Sequence, residues 1–102
     1  MAKDIILRPE VQWFAEQMEL MLQANEYKGG WQTESKQLLT QSLIRNVYHL
    51  EAANQLLSRW HKHFPIYAEQ IDSMFSDVMR RSANVANFAM MIADNAKNRS
   101  ED

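Results

Sequence analysis

The chain has no cysteine. It therefore builds no disulfide framework and no thiolate metal site. Two glycines and two prolines are the only strong breakers in 102 residues, too few for a fold of short strands and turns. Helix formers dominate, which predicts one all-α domain of long helices and short connections. No apolar run approaches the twenty residues that a bilayer needs, so no membrane span is expected. The first residues lack the apolar block of a secretory signal, and the expected location is the cytoplasm.

What charge there is falls unevenly. The formal net charge is −2. Residues 1–34 hold three Lys/Arg against six Asp/Glu, and residues 64–102 hold four against six. Residues 35–63 hold Lys36, Arg45, Arg59 and Lys62 against Glu51 alone, with all three histidines. A basic middle between acidic flanks predicts either complementarity within or between chains, or an anion-binding face.

Punctuation and periodicity divide residues 1–102 into one domain with three helices. Residues 1–8 read as an N-terminal arm. Pro9 suits a first helical turn and Glu10 suits its positive dipole end. Val11, Phe14, Ala15, Met18, Met21 and Leu22 then recur at helical spacing, giving a helix over about 9–26. Gly29-Gly30 breaks it. Thr33 or Ser35 can cap a second helix over about 34–61. Leu39, Leu43, Val47, Leu50 and Leu57 form a near-heptad seam with Asn54 as a polar interruption and Trp60 as its continuation. Pro65 disfavours helix at Phe64. A third helix is expected over about 66–97, with its seam at Ile71, Met74 or Phe75, Val78, Ser82, Val85, Ala89 and Ile92. Residues 98–102 read as a frayed tail.

Two helices near thirty residues are each roughly 45 Å long, more than a domain of this size can cover. The expectation is a homo-oligomer, a dimer in the first instance, whose core is a four-helix bundle.

Three blocks carry a family likeness. They are Pro9-Glu10-Val11-x-x-Phe14-Ala15-x-x-Met18-Glu19-x-x-Leu22, Asn25-Glu26-Tyr27-Lys28-Gly29-Gly30-Trp31, and Asn84-Val85-Ala86-Asn87-Phe88-Ala89-Met90-Met91-Ile92-Ala93-Asp94. Together they resemble the MazG-like all-α nucleoside triphosphate pyrophosphohydrolases, and most of all the small phage-type dATP/dGTP diphosphohydrolases. That resemblance implies hydrolysis of a triphosphate to monophosphate and pyrophosphate. It also implies magnesium or manganese held by two acidic pairs on facing helices. Residues three apart share a helix face, and a hard cation takes several carboxylate oxygens.

The four positions that the resemblance assigns to those acids are occupied otherwise. Asn46 and His49 stand at the first pair, Arg81 and Asn84 at the second. Four carboxylates would give this site a charge of about −4, whereas the residues present give about +1 with neutral His49, so Mg²⁺ has little reason to shed its water there. No catalytic residue, metal ligand or cofactor is assigned.

Each singled-out residue has a bland reading beside the functional one. Arg81 can take a phosphate through its planar fork, or pair with an acid on a neighbouring helix or subunit, such as Asp77. His49 can serve as a ligand, or sit in the core bonded to Asn84. Asn46, Asn84 and Asn87 can fix the bundle register as an amide network, or read a base. Lys28, Trp31, Arg45 and Asn87 are candidate anion or base contacts, while Trp31 can equally anchor its loop. Met18, Met21, Met74, Met79, Met90 and Met91 suit core filling. Arg59, Trp60, His61, Lys62 and His63 can form a partner surface, or a solvated helix end.

The function expected is that of a catalytically inactive MazG-like protein that acts by binding. Its most concrete form is a phage-type inhibitor or accessory protein engaging a host defence protein in the host cytoplasm. The alternatives are metal-independent nucleotide sequestration, with nucleic acid a less expected partner, and an active diphosphohydrolase with displaced ligands. In the nucleotide-binding alternative, a pocket left open takes anions directly. In the binding reading, the four replaced side chains close it by bonding one another.

Overall fold

A computed structural model describes residues 4–26, 29–63 and 68–99, with side chains set aside for residues 60–63, 68 and 99. It is all-α: α1 spans Pro9–Ala24, α2 spans Lys36–His63 and α3 spans Ala68–Arg99. No strand occurs among the described residues, and no helix there is long and apolar enough to cross a membrane.

Local chemistry sets the ends. Arg8 enters α1 in extended geometry without a side-chain cap, and Pro9 opens the helix with Glu10 in its first turn. At the other end, the backbone N–H of Asn25 donates to Leu22 O at 3.1 Å, and its side-chain Nδ2 donates to Met21 O at 2.8 Å. Two carbonyls that the last turn would leave open are thus satisfied. That closure stops the helix at Ala24 rather than at 26. Gly29 then takes φ +89°, a left-handed conformation that glycine enters without a Cβ clash. Ser35 is the cap of α2: its Oγ accepts from the Leu38 N–H at 3.0 Å. The helix accordingly starts at Lys36, two residues later than expected, and α3 runs two residues further, to Arg99. The expected start of α3 at 66 lies outside the described residues, as does the tail beyond Arg99.

The third helix is the centre. Both α1 and α2 pack against it, and among the described residues they make no contact with each other. Ala83 is 1% exposed and Asn87 4%. A methyl group at Ala83 lets the neighbouring backbones close in on α3, where any larger side chain would hold them apart.

The seam of α2 differs from the expected one. Leu39 is buried, and Leu43, Leu50 and Leu57 are half-buried as expected, but Asn46 and Ala53 lie on that face while Val47 and Asn54 are exposed. At 100° per residue, the direction set by Leu39, Leu43, Leu50 and Leu57 passes closer to Asn46 than to Val47. Geometry thus turns an amide inward and a valine outward. On α3, Met74 takes the seam and leaves Phe75 47% exposed, while Ala89 faces out. Met79, expected in the core, is 40% exposed.

The protomer is long, at 56 × 33 × 23 Å, with a radius of gyration of 16.6 Å against about 13 Å for a compact chain of this length. Only Leu39 and Ala83 are buried apolar residues among those described. Ile5 and Ile6 of the arm are bare, and Val11, Trp13, Leu20, Ile44, Tyr48 and Phe75 are all exposed. The reason is length: α1, at about 24 Å, covers only part of an α3 of about 48 Å.

Candidate functional site

The C-terminal half of α3 holds both α1 and the loop after it. Asn87 reaches α1, where its Nδ2 donates to Met18 O at 3.1 Å. Trp31 of the loop donates its indole N–H to Asp94 Oδ2 at 3.1 Å, and Asn95 Nδ2 donates to Trp31 O at 3.1 Å. Asp94 Oδ1 also lies 3.5 Å from Lys97 Nζ. Trp31 is therefore pinned at both its side chain and its carbonyl. The anchoring role weighed for it is the one its geometry displays.

These ties frame a cavity of about 770 Å³, within the range of small-molecule sites. Its walls come from the end of α1 (Glu19, Met21, Leu22), the connection (Asn25, Glu26, Gly29, Gly30, Trp31, Glu34), and the facing helices (Asn46, Arg80, Asn84, Asn87, Phe88, Met91).

The four replaced positions separate into two pairs. Asn46 and Asn84 line the cavity, while His49 and Arg81 do not. His49 is exposed, so it is no core histidine, and its partner is Arg81 rather than Asn84: Arg81 Nη1 lies 3.2 Å from His49 Nδ1. A guanidinium only donates, so this contact suits the tautomer that leaves Nδ1 free to accept. Arg81 also donates through Nε to Asp77 Oδ1 at 3.3 Å, the acid named for it, but one turn away on α3 itself rather than on a neighbouring helix or subunit. Asp77 in addition takes Arg80 Nη2 at 2.6 Å.

The amide network does not form. Asn46 Nδ2 donates to Ser42 O in its own helix at 2.8 Å, Asn87 bonds α1, and Asn84 has no hydrogen-bond partner among the described residues. Each asparagine faces a different element, so their amides do not meet. Closure of the site by mutual bonding is limited to the His49–Arg81 contact at its side.

Of the candidate anion contacts, Trp31 and Asn87 line the cavity, Arg45 is exposed elsewhere on α2, and Lys28 lies outside the described residues. In the candidate partner surface, Arg59 is exposed, while the side chains of Trp60, His61, Lys62 and His63 lie outside the described part. The expected charge of about +1 belongs to the four replaced positions, of which the two that can carry charge, His49 and Arg81, lie outside this cavity; its described walls carry Glu19, Glu26 and Glu34 with Arg80 as the one cation among them. Periodicity carried no signal for this, because these acids are exposed residues of helix and loop that the chain turn brings together. Among the described residues no three His, Asp or Glu side chains converge as a metal site.

Compared with protein-family models, curated proteins and solved structures, the chain matches none.

Proposed function

We propose that this chain is a non-catalytic, MazG-like helical protein that acts by binding, and that it does so as a homo-oligomer whose uncovered helical faces close against one another. The observation that carries this reading is the surface the protomer leaves open. Among the described helical residues Val11, Trp13, Leu20, Ile44, Tyr48, Phe75 and Met79 are all exposed. Large apolar side chains left open on all three helices are what an interface between copies would cover.

The positions discussed above add support. Arg81 beside His49 puts fixed positive charge where the MazG-like hydrolases, by resemblance, hold cations. The phage-type inhibitor is the special case in which a host protein occupies one of the open faces. Nucleotide sequestration draws support from the cavity's volume, but the three glutamates on its walls weigh against an anion.

Light scattering across micromolar concentrations tests the reading. The expected mass is a multiple of 12.0 kDa, and a monomer throughout that range refutes the assembly.

A further inference from the structure

The arm before α1 leaves its apolar side chains in water. Ile5 and Ile6 are 80% and 94% exposed and Leu7 is 48% exposed, and Asp4 and Arg8 bracket them. Residues 4–8 take no regular structure, and Arg8 is extended. Side chains of an extended segment alternate between two sides. Docked in that form, the arm places Asp4, Ile6 and Arg8 on one face, an apolar knob with an acid on one side and a base on the other.

A counterpart lies at the start of α2. A cavity of about 270 Å³ is lined by Leu39, Ile92 and Ala96 together with Glu34, Lys36 and Asn95. That volume falls below the roughly 300–1,000 Å³ of small-molecule sites and suits an aliphatic side chain or two. Asn95 is already committed to Trp31 O. The described walls otherwise carry one acid and one base, Glu34 and Lys36, both exposed. Among the described residues, none of Asp4, Arg8, Glu34 and Lys36 has an ion-pair partner.

We propose that the arm of a second copy seats Ile6 in this cavity, with Asp4 against Lys36 and Arg8 against Glu34. The inference rests on the homo-oligomer proposed above and names one contact inside it. The occupant follows from charge order and size. The arm carries an acid and a base about 13 Å apart when extended, on either side of an apolar side chain. The cavity offers the opposite charges beside an apolar floor, and the long side chains of Arg8, Glu34 and Lys36 span the remaining gap. Within one protomer the arm stays bare, so a second copy supplies it. Five residues are few beside the roughly 800 Å² that a stable interface takes from each partner, so the contact adds to the open helical faces and does not replace them.

The absence of cysteine allows disulfide trapping without background. Two single variants, Ile6→Cys and Ala96→Cys, one of them tagged, are mixed and oxidised. A disulfide needs Cα atoms within about 7 Å, so a link between unlike chains reports the arm of one copy in the cavity of the other. The expected rate is at least about tenfold that of Ile6→Cys mixed with Gln55→Cys, an exposed position of α2 outside the cavity. Adding Asp4→Lys and Arg8→Glu to the arm should slow trapping about threefold or more, and adding Glu34→Lys and Lys36→Glu to the other chain should restore it. Sedimentation of the native protein separates this contact from the assembly. A monomer refutes both. An oligomer that traps no faster than the control, or whose charge-swapped pair fails to recover, overturns the arm contact and leaves the assembly standing. Closure of an Ile6→Cys/Ala96→Cys double variant within one chain, at a rate independent of concentration, also overturns it.

Discussion

Trp31 and Asp94, 63 positions apart, are joined by an indole N–H to carboxylate bond of 3.1 Å. With Asn95 holding the Trp31 carbonyl, this pair fastens the connection between α1 and α2 to the end of α3. It sets one wall of the cavity. Trp31→Phe keeps an aromatic ring but removes the donor and part of the indole, so it should cost about 1 kcal/mol or somewhat more. Trp31→Ala removes packing as well and should cost more. Urea unfolding of both variants checks the order, and an unchanged midpoint in both would mean the anchor contributes nothing.

Ala83 is 1% exposed at the centre of the helix packing. Ala83→Leu should destabilise by about 1–3 kcal/mol, because a well-packed contact has no room for three more carbons. Leu39→Ala should cost about 2–4 kcal/mol by leaving a cavity under α2. Thermal unfolding measures both, and a neutral Ala83→Leu would show that α3 is packed more loosely than described.

The His49–Arg81 contact joins α2 to α3 on an exposed surface. A double-mutant cycle with His49→Ala and Arg81→Ala should give a coupling below about 1 kcal/mol, as exposed polar pairs do. A larger coupling would mean the pair is shielded from water, as by an assembled partner.

Much of the fold was legible because its signals are local. Pro9, Gly29-Gly30 and the serine at Ser35 mark ends that depend on a few neighbouring residues, and the helices fall within about two residues of the expected spans. The face of α2 was less legible. Val47 is apolar and Asn46 is not, which drew the expected seam to the valine; yet Asn46, not Val47, keeps the regular three–four spacing of Leu39, Leu43, Leu50 and Leu57, and that direction turns the amide inward. The site was least legible. Glu19, Glu26 and Glu34 carry no shared period, and the ties that assemble them, Trp31 to Asp94 and Asn87 to Met18, span more than sixty residues. His49 was paired in expectation with Asn84, but the rotation of α2 presents it to Arg81.

Phe75 and Met79 sit one turn apart on α3, 47% and 40% exposed. Phe75→Glu should change the stability of an isolated protomer by no more than about 0.5 kcal/mol. In an assembly it should lower the solution mass towards 12.0 kDa. Sedimentation of the variant beside the native protein separates the two effects, and an unchanged mass places the interface elsewhere.

The most direct test of binding through uncovered faces is hydroxyl-radical labelling of the native protein at micromolar concentration. The residues to follow are Trp13, Tyr48, Phe75 and Met79, which the protomer exposes by 44%, 67%, 47% and 40%. The account predicts labelling at Phe75 and Met79 well below the level those exposures imply, rising when the protein is diluted. Labelling of all four in proportion to their exposure, at every concentration, would contradict it.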